Sequence, residues 1–400
     1  MIDVLQVFLL ILQLVIVSYL AFGTLYIFIF SVAGLFKLRE AHPLDEKIHK
    51  IAVLIPGYKE DAVILEAAEE ALRQDYPSDS YDVVVIADMF KPETIVRLKS
   101  LPIKLIEVSF KESTKSKALN AGMEKLPENY YNIALVLDAD NIMNHDFLSR
   151  INAAFNCAFH AIQGHRIAKN LNTSFSILDA ASEEINNHIF RKGHCNLGLS
   201  SSLIGSGMAF DYDYFKAMMK NIQAVGGFDK EIELTTMREG IKIGYLEKAY
   251  IRDEKVQVSD VFIKQRRRWL SAQIHYSKYF VGSLGYLIRK GNIDFFDKAL
   301  QMLLPPRILS LGTLFLFSAI SVFINPLVLT VIWLNLLLLC ILAILFAVPK
   351  NMVNIKTLAA IMSLPKGFFL MLFSLFSTKG ANKRFIHTEH SDIKTNNNQK

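Results

Sequence analysis

Cysteine is scarce in this chain: Cys157, Cys195 and Cys340 are the only three in 400 residues. They are widely spaced, and Cys340 lies in an apolar run. This excludes a disulfide framework and points to a reducing compartment. Zinc-ligand spacing is missing, and so is any basic-aromatic module of the kind that binds nucleic acid, so nucleic acid is not an expected partner. Neither Gly-x-Gly-x-x-Gly nor Gly-x4-Gly-Lys-Ser/Thr occurs. That removes the dinucleotide fingerprint and the phosphate-binding P-loop. No internal repeat is present.

Charge is absent from two long stretches, residues 4–36 and 308–349. A helix over the first would be roughly 50 Å long, more than a ~30 Å hydrocarbon core, so one tilted span continuing beyond the bilayer is expected. Its length and the lack of a basic leading region argue against a cleaved signal peptide. Lys37, Arg39, Lys47 and Lys50 follow it, which puts that end on the cytoplasmic side of the plasma (inner) membrane. The second stretch breaks at Asn325-Pro326 and reads as two spans. Residues 281–307 are expected to form interfacial helices. Within 350–385 the apolar pieces are interrupted by Pro365-Lys366-Gly367 and are too short to span, so a re-entrant or interfacial segment is expected. Lys350, Lys356, Lys379, Lys383 and Arg384 favour cytoplasmic ends. The tail, 386–400, reads as disordered. The net charge of +6 is modest, and much of it lies beside apolar segments, which suggests membrane lipids as partners.

Between an N-terminal unit at 1–45 and the interfacial helices lies a domain, 46–280, with the composition of a soluble α/β fold. Ile51–Ile55 reads as a strand ending at Pro56-Gly57, residues 62–73 as a helix, and Asp82–Ala87 as a strand ending at Asp88. Lys104–Val108 is a third strand and Lys117–Lys125 a helix. Ile133–Leu137 then runs straight into Asp138-Ala139-Asp140. Alternating strands and helices predict a mostly parallel sheet, with polar residues converging at its carboxyl edge, the layout of a nucleotide site. Two carboxylates at a rigid strand exit suit a hard divalent cation on a diphosphate. Gly205 to Phe210 is glycine-rich, and Ser206 and Gly207 would let a ligand approach the backbone. Gly226-Gly227-Phe228-Asp229 opens a helix that runs to Glu239 and stops at Gly240. Each feature alone has an ordinary reading: an acidic turn, a strand stop, a helix cap, or, for Lys264 to Trp269, a membrane anchor.

In order and spacing, LIPGYKE (54–60), IAD (86–88), KALNAG (117–122), DAD (138–140), GSGMAF (205–210), GGFD (226–229) and QRRRW (265–269) together resemble family 2 glycosyltransferases. The resemblance is to the inverting, membrane-embedded branch that includes cellulose, hyaluronan and poly-N-acetylglucosamine synthases, and it covers roughly residues 50–275. It implies the single nucleotide-binding α/β domain called GT-A. By the same resemblance Pro56 and Tyr58 line the nucleobase, Glu60 is the acid of the first motif, and Asp88 accepts a hydrogen bond from the base. Lys117 stands near the phosphates, Asp138 near the donor's sugar and phosphate, and Asp140 on a Mg²⁺ or Mn²⁺ ion. Gln265, Arg268 and Trp269 match Gln-x-x-Arg-Trp and, with Ser206 and Gly207, would meet the acceptor and the diphosphate.

The chain departs from the pattern at the general base, where the family usually carries Glu-Asp. Register from Gly240 places Phe228-Asp229 at that pair, with Glu231, Glu233 and Glu239 as alternatives. The resemblance implies hexosyl transfer from a nucleotide sugar, a UDP-sugar first, to a glycan or lipid-linked acceptor. Polymer synthesis and single addition both fit. A polymer channel would want more than three spans, which a homo-oligomer or an export partner could supply. The missing Glu-Asp pair favours one alternative, an inactive GT-A-like scaffold or assembly subunit of a polysaccharide export complex.

Overall fold

The computed structural model describes residues 4–38, 46–222, 224, 226–257, 259–324 and 326–376. Arg39, Asn325, Lys379, Lys383, Arg384 and the tail at 386–400 lie outside the described residues.

Among the described residues eight strands form one mixed sheet: β1 Ile51–Tyr58, β2 Tyr81–Asp88, β3 Lys104–Val108, β4 Ile133–Val136, β5 Ile142–Met143, β6 Ala161–Ala168, β7 Met208–Asp211 and β8 Ile243–Asp253. Their order is β3-β2-β1-β4-β7-β6-β8-β5. The β3-β2-β1-β4 half is parallel, as the strand–helix alternation requires. β7 runs antiparallel between β4 and β6, β6 and β8 are parallel, and β5 is antiparallel to β8. Ile51 to Ile55 and all of β4 are buried, because helices cover both faces of the sheet. One layer packs Leu119, Met123, Phe210, Phe215 and Ile232, the other Ile64, Ala68, Leu98, Phe147 and Ile151. Each such fully buried Leu, Ile, Phe or Met side chain contributes about 1.5–3 kcal/mol.

Most expected elements appear within a few residues of their expected bounds. The helix predicted from Lys117 starts at Lys115, because the Thr114 side chain accepts the Lys117 N–H and caps it there. β6 was not legible: its second half, His165-Arg166, is polar, and its register to β8 shifts at Gly164/His165.

Among the described residues, three helices are long and apolar enough to cross a membrane, Val7–Gly34, Arg307–Ile324 and Leu327–Ala347. Ile355–Ile361 and Leu364–Leu375 form a bent pair, at 47°, with the geometry of a broken span or a re-entrant loop. Val17, Leu20, Ile27 and Phe30 of the first helix bury against Trp333, Leu336 and Cys340. That helix is also tied to the rest of the chain by polar bonds. Tyr26 Oη donates to Asp297 Oδ1 at 2.5 Å and lies 2.9 Å from His194 Nε2. Below it, a π-helical turn at Asn187–Gly193 brings Gly193 against the Phe30 backbone. A Cβ on Gly193 would stand 2.2 Å from the Phe30 carbonyl oxygen, and backbone cannot swing aside as a side chain can. Gly193→Ala is therefore expected to destabilise the chain by about 1–3 kcal/mol. Thermal unfolding in detergent checks this: an unchanged midpoint would mean that the helix and the turn are not packed this way.

Candidate active site

The site is built on the exits of β1, β2 and β4. Tyr58 and Asp88 are register partners at the ends of β1 and β2. Each is followed by a non-glycine residue in the left-handed region, Lys59 (φ 56°) and Met89 (φ 57°), so both strands turn away sharply at the same level. Lys59 N–H donates to the Asp88 carbonyl at 3.1 Å and locks the two exits together. The Asp88 side chain is buried, and its Oδ1 has no hydrogen-bond partner among the described residues. Burial pushes its carboxyl up, against a hydrogen bond from Ser113 and the charge of Lys59. An unmet buried acceptor at a strand end is what a donor N–H on a ligand would satisfy. Pro56 and Tyr58 are half-buried beside it. The Glu60 carbonyl accepts N–H groups of Val63 and Ile64, which starts the following turn.

At the end of β4, Asp138 N–H donates to Ser206 Oγ at 2.9 Å, and Ser206 Oγ donates in turn to Asn141 Oδ1. Ser206 sits between two left-handed glycines, Gly205 (φ 82°) and Gly207 (φ 60°), which only glycine adopts without strain. The Asp138 carboxylate is ion-paired with Lys115, whose Nζ also donates to the Gly205 carbonyl at 2.6 Å. Lys117 instead points outward, with Nζ on the Glu112 carbonyl at 2.8 Å. The two lysines, two residues apart, face opposite sides of their helix, and sequence alone gave no reason to prefer Lys115. Asp140 is nearly buried. Its Oδ2 accepts the Glu254 N–H and its Oδ1 the Asn141 amide, both at 3.1 Å.

No cluster of three or more His, Cys, Asp or Glu poised for a metal occurs among the described residues. Asp138 and Asp140 nonetheless fit a Mg²⁺ or Mn²⁺ of the kind held by one or two carboxylates and completed by phosphate oxygens and water. Behind Asp140 lies a buried network that the sequence did not suggest. Asp253 pairs with Lys255 at 2.6 Å and Arg166 at 3.3 Å, and Glu183 pairs with Arg166 at 2.8 Å and Arg191 at 3.1 Å. Burial raises the Asp253 carboxyl pKa despite those two cations, and the Asp140 charge adds to the rise.

The four competing acids lie on or just after the helix Phe228–Arg238, which starts from left-handed Gly227 (φ 71°). Asp229 is in its first turn, where a carboxylate is favoured by the helix N-terminus. A Cβ on Gly205 would lie 3.6 Å from Asp229 Cβ, so Asp229 stands over the loop that contacts Asp138. Glu231 accepts from Tyr276 Oη at 3.2 Å and lines a separate cavity of about 220 Å³ with Tyr279 and Arg238. Glu233 is fully buried and held by Lys298 at 2.5 Å, Lys230 at 3.3 Å and the Leu203 N–H at 2.9 Å. Glu239 is exposed at the far end, roughly 15 Å along the axis from Asp229.

Burial pushes the Glu233 carboxyl up, but Lys230 and Lys298 outweigh it and hold it below its ordinary value of 4.5. Its contribution to stability is therefore fully present above about pH 4.5 and is lost as pH falls through its depressed folded value. Glu233→Gln is expected to flatten the acid side of the stability–pH curve, read from unfolding midpoints between pH 6 and roughly 3. An unchanged acid limb would contradict the pairing.

Arg268, on the helix Ser259–Tyr276, is half-buried. Burial pulls its guanidinium pKa down, and the charges of Asp138 and Asp229 oppose that, so it lies in the field of both acids. Gln265 keeps a buried Oε1 without a partner among the described residues. Trp269 is 37% exposed, with the Arg266 guanidinium 4.3 Å from its ring centroid, and Arg266 is itself paired with Asp179. The arrangement thus brings Asp138, Asp140, Lys115, Ser206, Asp229 and Arg268 around one space, with Tyr58 and Asp88 on its β1–β2 side.

Among solved structures, the chain is similar to the mannosyltransferase PcManGT from Pyrobaculum calidifontis in complex with GDP-Man and Mn²⁺. The identity is 14% and the TM-score 0.56, over 89% of this chain and 98% of that one. At that identity the likeness shows the fold alone, and the fold is a GT-A glycosyltransferase fold. S. aureus TarS 1–349 (16% identity, TM-score 0.42, 84% of this chain and 90% of that one) matches more weakly. So does glucosyl-3-phosphoglycerate synthase from Mycobacterium tuberculosis (14%, TM-score 0.39, 56% and 76%). At those scores the likeness carries no weight. No curated protein matches the chain in sequence. Residues 49–272, more than half of the chain, match the family described as glycosyltransferase like family 2, and the chain belongs to that family.

Proposed function

We propose that the chain is a membrane-bound inverting glycosyltransferase that moves a hexosyl unit from a nucleotide sugar to a glycan or lipid-linked acceptor. The supporting observation is that Lys115 joins Asp138 to the Gly205 carbonyl while Asp229 Cβ lies 3.6 Å from where a Cβ on Gly205 would stand, so a donor-side acid and a helix N-terminal acid share one space. Tyr58 stacks on the nucleobase, and the unmet Asp88 Oδ1 accepts its imide N–H. Uracil offers such a donor and makes a UDP-sugar the first choice. Guanine offers one as well, and the mannosyltransferase with GDP-Man keeps GDP-mannose as an arm of the test.

Asp138 and Asp140 would hold Mg²⁺ or Mn²⁺, which when bound neutralises charge on the leaving nucleoside diphosphate. Arg268 offers its planar guanidinium to the diphosphate oxygens. Asp229 accepts the proton of an acceptor hydroxyl as that oxygen bonds to the anomeric carbon from the face opposite the diphosphate. The anomeric C–O bond to the diphosphate breaks, and its electron pair leaves with the nucleoside diphosphate. Gln265 Oε1 accepts from a sugar hydroxyl, and Trp269 offers a ring face to the acceptor. The apolar helices set this domain on membrane lipids, and Lys37, Lys47 and Lys50 favour the cytoplasmic face of the inner membrane.

The test is nucleoside diphosphate release by membranes carrying the chain. The donors are UDP-glucose, UDP-N-acetylglucosamine and GDP-mannose, with Mg²⁺ or Mn²⁺ and added lipid or oligosaccharide acceptors. Release above control membranes with at least one donor is expected. No release with any combination would overturn the reading in favour of an inactive scaffold. Product length on a gel separates polymer synthesis from single addition.

A further inference from the structure

Asp229 is the open end of a row of alternating charges whose other members the transfer chemistry does not use. Lys230 Nζ lies 3.7 Å from Asp229 Oδ2 and 3.3 Å from Glu233 Oε2, and Lys298 Nζ lies 2.5 Å from Glu233 Oε1. Exposure falls along the row: the side chains of Asp229 and Lys230 are 27% and 28% exposed, Glu233 0% and Lys298 2%. We propose that Lys230, Glu233 and Lys298 are positioning residues that hold the Asp229 carboxylate toward Gly205 and Asp138. The proposal rests on the reading of Asp229 as the base.

Stability alone gives little reason for such a row. A buried ion pair seldom stabilises more than apolar residues of the same shape, because both charges are desolvated. What a fully paired row does supply is a single arrangement, since moving any member leaves a neighbouring charge unmet. Glu233 is the pivot. It accepts the Leu203 N–H at 2.9 Å, so one carboxylate fixes both the helix that carries Asp229 and the segment leading to Gly205. Lys298 is saturated, with Ser202 Oγ at 2.6 Å and Gln301 Oε1 at 2.9 Å as further acceptors. Its neighbour Asp297 accepts from Tyr26 of the first apolar helix. The inner end of the row is thus anchored in that helix, and its outer end reaches the acceptor side of the site. Without Lys230, Asp229 loses its tether while Arg268 remains within its field, so the carboxylate is drawn off its position over Gly205 toward the Arg268 guanidinium.

The experiment uses the full chain in lipid nanodiscs and whichever of the three donors it turns over with Mn²⁺. Lys230→Met is expected to lower kcat about 10-fold with donor KM unchanged, since misplacing a base costs transition-state contact and not donor binding. Lys298→Met acts in the same direction, and Lys230→Arg, which keeps the charge, restores most of the rate. In an Asp229→Asn background, Lys230→Met costs nothing further, because the group it positions is gone. A wild-type kcat in Lys230→Met beside an inactive Asp229→Asn overturns the proposal alone. So does a loss carried by donor KM, or one that persists in the Asp229→Asn background. A wild-type kcat in Asp229→Asn overturns the base assignment beneath it.

Discussion

Asp229→Asn is expected to lower kcat by about 10²–10⁴-fold, the range a positioned proton acceptor contributes, and to leave donor affinity within about 2-fold. Asparagine matches aspartate in shape and retains a side-chain oxygen at the first turn of its helix, so the fold should be kept. It cannot take a proton from a hydroxyl at neutral pH. The other three acids are poorly placed to substitute. Glu233 is buried between two lysines, Glu231 is hydrogen-bonded to Tyr276 beside a different cavity, and Glu239 is exposed at the opposite end of the helix. Nucleoside diphosphate release and donor binding, measured on the same preparation, check both halves of the prediction. Full activity would move the base elsewhere. Lost donor binding would make Asp229 part of the donor site.

Asp140→Asn should be comparably severe, with a different signature. Its carboxylate accepts the Glu254 N–H and the Asn141 amide, and the amide oxygen of asparagine can still take one of these bonds. The negative charge is lost, and with it a hard ligand for a divalent ion. Donor binding in the presence of Mn²⁺ is expected to weaken by about 10–100-fold, while binding without metal changes little. Titrating a nucleoside diphosphate with and without Mn²⁺ separates these arms. Equal weakening in both would mean that Asp140 supports the fold of the site and does not hold an ion.

Legibility in the sequence followed the physics of each element. β1, β2 and β4 could be read because strands buried on both faces carry unbroken apolar runs, and their polar exits at Asp88 and Asp138 stand out against them. The apolar helices were legible for the same reason at greater length. β6 was not, because it passes from a buried half to His165 and Arg166, which bond to Glu184 and to Glu183 and Asp253 from well along the chain. Pairing across such distances leaves no local pattern. The choice of Lys115 over Lys117 failed to appear for a related reason: it depends on which helical face meets the β4 exit. Register from Gly240 pointed to Asp229 with three alternatives, and the partners of Glu231 and Glu233 and the exposed position of Glu239 leave Asp229 as the acid beside Gly205. In the Lys230–Glu233–Lys298 row, Lys230 and Glu233 are a local i,i+3 pair, but Lys298 joins from far along the chain and left no signature.

The most direct test of the account is the anomeric configuration of the product, read by NMR from a donor of known α-configuration. A single displacement in which Asp229 only takes a proton predicts a β-linked product. An α-linked product would require a second displacement or a different attack, and would contradict the arrangement of donor and base around Asp138, Arg268 and Asp229.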